Sequence, residues 1–489
     1  MFLIKIECYM KLNQIKHTLL PMLFVCAVAA VTTITTTKTA IANTAEEANF
    51  AASTQIYLDS LPGASWSNEP FHGAVLLTRD GKAIFEYDDS GVKQATYEIG
   101  STTKLMVATA IMQLVEQGKL SLTQSVGSLL PRFAEQYPDV TIIHLLSHSS
   151  GISEYVTSEL LKRGSAFSRQ EIRQIISDQQ KTMPAGLEHE YSNTNYLLLG
   201  LIIEKLSGLT WQQYLKQNVF QPSGMLHIST KPATAPLYYL EQDKLIAGDP
   251  VNASLAFSAG ALTASPQDLM AFYKAFTSDQ LLSSSSRKLM SQEVAPGSDY
   301  GLGVMLENAS IKDQKIRYMG HGGSTPTSSS HFVFDDINRC ALVIFQTPSK
   351  AFDLYRVQKT LLNACQSGVA PKALAKKETI VLSDEYRTQL PGDYLMEAKV
   401  LEIVKSQLSV ELAEQIKTLQ VRLENNQLIF DFVGQEAFPV EPMSDGTLQF
   451  KSAKVTIVPR KEDGKITGFI FKQPRVGLPY IKTKPLLLK

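Results

Sequence analysis

Strand patterns occur on both sides of a long helical stretch in this chain of 489 residues. The segment FHGAVLLTRDGKAIFEYDD, which begins at Phe71, contains two alternating runs around Asp80-Gly81, a dipeptide typical of hairpin turns. Helical periodicity then dominates from Ser101 to Leu215, and strand patterns return in YGLGVML, SHFVFDD and CALVIFQ. Strands, many helices and again strands predict an α+β domain whose sheet joins both ends of the sequence around a helical insertion.

The C-terminal part of the chain has a different pattern. After Cys365 the segment QSGVAPKALAKKE is small, polar and lysine-rich, which is typical of a linker. Beyond it, short alternating runs are separated by turn pairs, and this pattern predicts a series of hairpins in a small all-β sandwich or barrel. The turn pairs are Asn425-Asn426, Asp445-Gly446 and Asp463-Gly464. The predicted domains are 46–368 and 381–489, joined by a linker at 369–380.

Residues 1–42 have the features of an export signal. Basic residues precede LLPMLFVCAVAAV at 19–31, and TAIAN at 39–43 offers an Ala-x-Ala site, so cleavage is predicted near Ala42. The alternative is a retained membrane anchor, although this apolar run is short for the roughly 20 residues that span a bilayer. Translation could also start at Met10. Export predicts a periplasmic or secreted protein with no integral membrane span in the mature chain.

The charge balance argues against a nucleic-acid partner. Lys and Arg number 47, as do Asp and Glu, so the formal net charge is zero. Cleavage near Ala42 would leave an excess of about three negative charges, which does not attract phosphates. With 44% hydrophobic and 19% charged residues, the composition is typical of a soluble globular protein.

Two of the four cysteines, Cys8 and Cys26, lie in the predicted signal. Cys340 begins a predicted strand and Cys365 ends a predicted helix, so antiparallel packing would bring them together. In an exported protein they could form a disulfide, and the alternative is a pair of buried free thiols. Neither cysteine has a metal-binding spacing.

Ser101 and Lys104 lie three residues apart at the start of an apolar helical segment, YEIGSTTKLMVATAIMQLVEQGKL. On a helix this spacing brings the two side chains together on one face. A helix N-terminus favours an alkoxide, and burial in an apolar helix lowers the pKa of a lysine. Lys104 could therefore act as the base for a Ser101 nucleophile. The alternative is that Ser101 only caps the helix.

Tyr191 and Asn193 place a phenol and an amide two residues apart in PAGLEHEYSNTNYLLLG. On an extended turn the two side chains would face the same way. A neighbouring lysine cation is expected to lower the pKa of a tyrosine, about 10 in water, so Tyr191 could carry a proton for Ser101. The alternative is that Asn193 or Ser192 only caps the helix that follows.

A glycine pair in YMGHGGSTPTSSSHFVFDD is the third candidate element. Gly322 and Gly323 follow His321 and permit a close backbone approach, so the amide of Ser324 could point at a substrate carbonyl oxygen. Together with the amide of Ser101, it would form an oxyanion hole. Glycine pairs before strands otherwise mark simple turns.

Six motifs, taken in order, resemble the β-lactamase-related serine hydrolases, a family that joins class C β-lactamases, D-alanyl-D-alanine carboxypeptidases, D-aminopeptidases and related esterases. The motifs are IGSTTK, LLSHSSGI at 145–152, YSNTNYLLLGLIIEKLSG, GMLHIS at 224–229, SAGALTASPQDLMAF at 258–272 and GHGGSTP. The likeness runs from Phe71 to Cys365. It implies a β-lactamase/transpeptidase-like fold, in which helices flank an antiparallel sheet and form a helical subdomain. The C-terminal segment is similar to the barrel-like domain attached to many of these hydrolases.

The resemblance implies a role for each candidate residue. Ser101 resembles the acylated nucleophile, Lys104 its activating partner, and Tyr191 the general base or acid. Asn193 resembles a residue that contacts both substrate and Lys104. The amides of Ser101 and Ser324 resemble the oxyanion hole.

The third motif departs from the family pattern. His321-Gly322-Gly323 stands where many members carry Lys-Thr-Gly, and Tyr300 is expected to line the pocket nearby. His321, with a reference pKa near 6.5, is mostly neutral at pH 7, so it should recognise a substrate carboxylate more weakly than lysine does. The resemblance then favours an esterase or D-amino-acid peptidase that hydrolyses an ester, amide or peptide, with peptidoglycan as one source of substrate. A β-lactamase or D-alanyl-D-alanine carboxypeptidase is the alternative.

Other functions have weaker support. His144 and His148 have the spacing of zinc ligands, but no Glu follows His144 as in His-Glu-x-x-His, so neither a metal nor an organic cofactor is expected. The chain has no Gly-x-Ser-x-Gly motif of an α/β-hydrolase. A non-catalytic envelope protein on the same fold would be expected to lack Ser101, Lys104 or Tyr191, and all three are present.

Overall fold

A computed structural model describes most of the chain, and within it the chain divides into two compact units. Ser67–Ala373 forms the main part of one unit, and Leu374–Lys489 the main part of the other. The division falls inside the predicted linker at 369–380, and the predicted signal peptide at 1–42 lies outside the described residues. The described residues are 45–64, 69–241, 244–311, 314–335, 337, 339–349, 351–407, 410–450, 455–473 and 476–483.

The first unit is built around a six-stranded antiparallel sheet. Its described residues contain the strands β1 (Gly73–Arg79), β2 (Lys82–Asp88), β3 (Tyr97–Glu98), β4 (Tyr238–Glu241), β5 (Lys244–Ala247), β6 (Thr263–Ala264), β7 (Met305–Ile311), β8 (Gln314–Ser324), β9 (Ser329–Asp335) and β10 (Cys340–Gln346). The sheet has the order β2-β1-β10-β9-β8-β7, while β3 pairs with β6 and β4 with β5. Strands from both ends of the sequence thus share one sheet, which confirms the predicted α+β arrangement.

Among the described residues, most helices of the first unit lie in the sequence between β2 and β7, while two precede β1 and one follows β10. The helices are α1 (Ala45–Asp59), α2 (Leu61–Ala64), α3 (Thr103–Glu116), α4 (Val126–Leu129), α5 (Ile142–Leu146), α6 (Ser158–Lys162), α7 (Arg169–Ser177), α8 (Asn193–Ser207), α9 (Trp211–Leu215), α10 (Gln221–Ser223), α11 (Ala253–Gly260), α12 (Pro266–Thr277), α13 (Ser284–Met290) and α14 (Leu354–Ser367). Short 3₁₀ turns occur at Gly100–Thr102 and Pro131–Phe133, and a π-helical turn at Lys216–Phe220. Across the described residues, no helix has both the length and the apolar character needed to cross a membrane.

Strand β10 lies near the middle of the sheet and is buried along its whole length. Both α12 and α14 pack against β10 and β1. Alternate residues of a strand point to opposite faces of the sheet. On one face of β10, Cys340 forms a disulfide with Cys365 of α14. On the other face, Val343 and Phe345 belong to the main core together with Leu269 of α12. A strand covered on both faces needs apolar residues at every position, which explains the continuous apolar run CALVIFQ.

Helices α3, α8 and α11 form the centre of the helical subdomain and pack against one another. Twelve of the fourteen residues of α3 are buried, so this helix is enclosed on nearly all sides, as its apolar sequence predicts. Each buried Leu, Ile or Met side chain contributes about 2 kcal/mol to the stability of this packing. The first turns of α3 and α8 are therefore held at fixed positions inside the subdomain.

The second unit contains a closed barrel of eight antiparallel strands, with β11 paired to β18. The strands are β11 (Gly392–Met396), β12 (Thr418–Glu424), β13 (Gln427–Phe432), β14 (Phe438–Pro442), β15 (Leu448–Phe450), β16 (Val455–Glu462), β17 (Lys465–Gln473) and β18 (Val476–Lys482). The predicted barrel is confirmed. The structure adds three helices that the hairpin pattern did not predict, α15 (Asp384–Gln389), α16 (Ala398–Gln407) and α17 (Val410–Gln415).

Two of the predicted turn pairs form tight hairpin turns in the barrel. Asn425 and Asn426, with φ values of 47° and 66°, join β12 to β13. Asp463 and Gly464, with φ values of 49° and 74°, join β16 to β17. Turns with two successive positive φ values favour Asn, Asp and Gly, and their twist matches that of the strands they join.

We predict that the disulfide between Cys340 and Cys365 stabilises the first unit. Replacing both cysteines by alanine should lower its free energy of unfolding by about 3 kcal/mol, because the unfolded chain regains the freedom of a long loop. The two cysteines are 25 residues apart in sequence. Urea denaturation measures the effect. A reducing agent should shift the wild-type transition toward that of the double variant and leave the variant unchanged; equal stability of the two proteins would contradict the prediction.

Candidate active site

Ser101 lies in the 3₁₀ turn Gly100–Thr102, immediately before α3. The turn is held against the β3-β6 pair, because the amide of Ile99 donates to the carbonyl of Leu262 at 3.1 Å. Ser101 does not cap α3, so the helix-cap interpretation is wrong: Thr102 precedes the first helical residue, and its side chain makes no capping bond either. The hydroxyl of Ser101 is therefore available for another partner.

Lys104 is fully buried, and its ammonium nitrogen has three oxygen partners. Nζ lies 2.9 Å from Ser101 Oγ, 2.6 Å from Asn193 Oδ1 and 2.6 Å from the carbonyl oxygen of Ala259. Burial lowers the pKa of Lys104 to about 7, while the carboxylate of Glu154 acts in the opposite direction. At neutral pH a large fraction of this lysine is thus the free amine.

The three partners of Lys104 determine where a neutral amine can direct its lone pair. The amide oxygen of Asn193 and the carbonyl of Ala259 only accept hydrogen bonds, so each holds one N–H of the amine. Ser101 Oγ is the one partner that can also donate. When Lys104 is neutral, its lone pair consequently faces the hydroxyl of Ser101.

The side chains of Tyr191 and Ser101 are neighbours, and the polar side chain of Ser101 acts to lower the pKa of the Tyr191 phenol. The Tyr191 ring stacks on His148 with centroids 4.0 Å apart, and Lys104 Nζ lies 5.1 Å from the Tyr191 centroid. The expected lowering of the tyrosine pKa is wrong: burial raises the pKa of Tyr191, and the charge of Glu154 raises it further. A buried phenol surrounded by rings loses more from desolvation than it gains from the neighbouring lysine, so Tyr191 stays protonated.

Asn193 is the first residue of α8, and its side chain does not cap that helix. Its Oδ1 faces Lys104, and its Nδ2 donates to Glu154 Oε2 at 2.8 Å. Ser192, which precedes the helix, makes no side-chain capping bond. Neither capping alternative applies, and Asn193 instead links the lysine to a carboxylate.

His321 lies near the end of β8 and is buried, with 1% of its surface exposed. Nδ1 is 2.6 Å from the carbonyl of Gly322, which only accepts, so this nitrogen carries the proton. Nε2, 2.8 Å from Tyr300 Oη, then accepts from that hydroxyl. Burial lowers the pKa of His321 to about 3, so the ring is neutral at pH 7, as expected from the sequence.

The glycine pair of β8 lies against the turn that carries Ser101. A Cβ at Gly323 would lie 1.9 Å from the carbonyl oxygen of Ile99, whereas a Cβ at Gly322 would be no closer than 3.5 Å to any neighbour. Gly100 has a φ of +48°, and a Cβ there would lie 2.8 Å from the amide nitrogen of Ser324. The backbone that leads into Ser101 therefore lies directly against the backbone of Gly323 and Ser324.

Buried hydrogen bonds that the sequence did not reveal join β9 to this turn, and join the connection between β8 and β9 to β3. Ser330 Oγ donates to the carbonyl of Ile99 at 2.7 Å and lies 2.9 Å from Thr102 Oγ1. The buried carboxylate of Glu98 accepts hydrogen bonds from Thr325 and Thr327. The run STPTSSS after the glycine pair was the available signal, because such a density of hydroxyls next to buried strands requires polar partners.

His148 and Glu154 are two further neighbours whose position sequence analysis did not predict. His148 lies in the motif LLSHSSGI, but its sequence context suggested only a zinc ligand. No sequence pattern indicated that Glu154 lies near the site. His144, considered with His148 as a zinc ligand, hydrogen-bonds Thr141 at the start of α5. In the described part of the chain, no cluster of three or more metal-ligating side chains occurs.

The structure thus brings together every residue that sequence analysis selected. A search against protein families finds that the beta-lactamase family matches residues 61–361. The chain belongs to the beta-lactamase family. The resemblance inferred from the six motifs is therefore confirmed. Relatives of the chain in this family are named as penicillin-binding proteins.

Two sequence relatives and one solved structure of similar fold can be compared with this chain. Penicillin-binding protein 4* of Bacillus subtilis (strain 168) is 24% identical over 79% of this chain and 89% of its own. PbpX of the same organism, also named as a penicillin-binding protein, is 29% identical over 50% of this chain, and the match spans only 65% of PbpX. A D-stereospecific amidohydrolase from Streptomyces sp. has a solved structure that superposes with a TM-score of 0.55. It is 24% identical and covers 65% of this chain and 99% of its own, which shows a common fold.

We predict that the two glycines of β8 differ sharply in their tolerance of a side chain. Gly323→Ala should displace the turn that carries Ser101, because the new methyl group overlaps the carbonyl of Ile99. Gly322→Ala, which meets only ordinary van der Waals contacts, is the matched control. Thermal unfolding should show a loss of several degrees for Gly323→Ala and a smaller change for Gly322→Ala. Equal stability of the two variants would contradict the close backbone approach.

Proposed function

We propose that the protein is an exported serine hydrolase that forms an acyl-enzyme on Ser101. The observation that carries this proposal is the buried amine of Lys104, 2.9 Å from Ser101 Oγ and hydrogen-bonded on its other sides to acceptors only. A serine hydroxyl is a weak nucleophile until a base removes its proton, and a lysine with a pKa of about 7 is half in the basic form at neutral pH.

In the proposed acylation step, Lys104 Nζ takes the proton of Ser101 as Oγ attacks the substrate carbonyl carbon. The electron pair of the carbonyl bond moves to its oxygen, and the amides of Ser101 and Ser324 stabilise the resulting negative charge. Tyr191, which remains protonated, donates to the leaving group and is reprotonated by the ammonium of Lys104. The neutral phenol thus acts as an acid and a proton relay rather than as the base.

In the proposed deacylation step, water attacks the acyl-enzyme carbonyl carbon and the same groups act in reverse. Lys104, again neutral, accepts the proton of the water through Tyr191. The bond to Ser101 Oγ breaks, Oγ regains a proton, and the acid product leaves. Apart from the substrate and this water, the proposed steps use Ser101, Lys104, Tyr191 and two backbone amides.

The neutral His321 supports an ester, amide or peptide as substrate, as in esterases or D-amino-acid peptidases. A cation at this position would attract a substrate carboxylate, whereas an uncharged imidazole held by Tyr300 provides no such attraction. The D-stereospecific amidohydrolase of similar fold supports an amide next to a D-amino acid. The two penicillin-binding relatives keep the alternative, a β-lactamase or D-alanyl-D-alanine carboxypeptidase, open to test. Export through the predicted signal peptide would place the enzyme where peptidoglycan fragments occur.

We predict that a fluorophosphonate probe labels Ser101 at a rate that depends on the protonation of Lys104. In this reaction Oγ bonds to phosphorus, fluoride leaves, and the proton goes to Lys104. Because the pKa of Lys104 is lowered to about 7, the labelling rate should rise as the pH increases through 7 and level off above 8. Ser101→Ala should not be labelled, and Ser284→Ala, which changes an exposed serine, should be labelled like the wild type.

Other outcomes of this experiment separate the rival proposals. A rate that begins to rise only above pH 10 would show that the Tyr191 phenolate is the base. A folded wild-type protein that is never labelled and hydrolyses no p-nitrophenyl ester would contradict the enzyme proposal and favour a non-catalytic binding protein. Hydrolysis of a chromogenic cephalosporin would favour the β-lactamase alternative.

We predict that the enzyme does not select substrates with a free terminal carboxylate. The kcat/KM value for cleavage of the peptide bond in acetyl-D-alanyl-D-alanine should be similar to the value for its C-terminal amide when both are measured at pH 8, and again when both are measured at pH 5.5. The ratio should not change with pH because His321, whose pKa is lowered to about 3, stays neutral throughout this range. A preference for the carboxylate that develops below pH 6.5 would show that His321 becomes charged and would contradict the prediction.

A further inference from the structure

Glu154 makes contacts that lie outside the roles assigned so far. Its Oε2 accepts two hydrogen bonds from Asn193, one from the backbone amide at 2.9 Å and one from the side-chain Nδ2 at 2.8 Å. Its Oε1 accepts from the amide of Val156 at 2.9 Å. Both carboxylate oxygens are thus engaged, although the residue lies on an exposed loop.

The loop that carries Glu154 is itself attached to the start of α8. The carbonyl of Ser153 accepts from Ser192 Oγ at 3.0 Å and from Thr194 Oγ1 at 2.7 Å. These two bonds lie on either side of Asn193 in sequence. They hold the carboxylate of Glu154 at a fixed position beside the Asn193 amide.

A carboxylate in this position determines which way the Asn193 amide points. An ionised carboxylate only accepts hydrogen bonds, so it must face Nδ2, and Oδ1 must then face Lys104. If the amide were reversed, Nδ2 would donate to the lone pair of the neutral lysine. That lone pair would then be occupied and could not take the proton of Ser101.

We infer that Glu154 is a positioning residue that fixes the orientation of the Asn193 amide and thereby directs the lone pair of Lys104 toward Ser101. This inference rests on the proposed function, since it assigns a role in the activation of the same nucleophile. Glu154 does not itself touch Ser101; it acts through Asn193.

The charge of Glu154 has a second, separable effect on Lys104. The titratable groups that face this lysine from the described residues around it are Glu154, His148, His321, Tyr191 and Tyr196. Burial lowers the pKa of both histidines and raises the pKa of both tyrosines, so these four groups are neutral at pH 7. The negative charge of Glu154 therefore raises the pKa of Lys104 against the effect of burial.

The test measures the rate of fluorophosphonate labelling against pH in the full-length protein. In Glu154→Gln the side chain keeps its size but can present either an oxygen or an N–H to Asn193, so the amide is no longer held in one orientation. The plateau rate should fall by about tenfold. The pH at which the rate rises should also move lower, because the negative charge is gone. Glu159→Gln, which removes an exposed carboxylate from α6, is the matched control and should match the wild type in both respects.

A double-mutant comparison separates positioning from a general loss of structure. Glu154→Gln should have no further effect on the plateau rate in an Asn193→Ala background, because the amide that Glu154 orients is missing there. A fall of the same size in both backgrounds would overturn the inference. An unchanged plateau, with or without a shift along the pH axis, would also overturn it. If the wild type is not labelled at all, it is the proposed function that fails.

Discussion

The exclusion of water from Lys104 is the constraint on which the rest of the candidate site depends. A lysine ammonium buried without partners would cost several kcal/mol, and here three oxygens surround it. The three oxygens come from different elements: the turn before α3, the first residue of α8, and the last turn of α11. Packing of the three apolar helices therefore sets the distances around the nitrogen. The same burial that requires these partners also lowers the pKa of the lysine into the range where it can act as a base.

The sheet has a different part in the arrangement. The end of β8 lies against the Ser101 turn because Gly323 has no side chain, and buried hydroxyls of Ser330 and Thr325 tie β8 and β9 to the turn and to Glu98. His321, on the same strand, is held in its neutral form by burial. One side of the site thus carries Lys104, whose pKa burial lowers to about 7, and the other side carries the end of β8 with an uncharged imidazole ring.

Much of the fold and most of the site could be predicted from the sequence, because these features depend on local spacing. The three-residue separation of Ser101 and Lys104, the Asn425-Asn426 hairpin and the continuous apolar run of β10 each have one common structural interpretation. The errors have different causes. The pKa of Tyr191 was expected to fall because its cationic neighbour could be inferred, whereas the number of rings and chains that enclose it could not. The helices inserted in the barrel were missed because the hairpin pattern on both sides dominated the interpretation.

The sequence by itself determined which side chains are present and which of them lie close together along one helix or strand. It therefore determined the Ser101–Lys104 pair, the glycine pair of β8 and the order of strands and helices that leads to the family fold. Only the tertiary structure decided which groups meet across elements: Asn193 and the carbonyl of Ala259 on Lys104, and Glu154 on Asn193. The physical reason is that hydrogen-bond direction and desolvation depend on the packing of segments far apart in sequence. Residue types and their local spacing do not specify that packing.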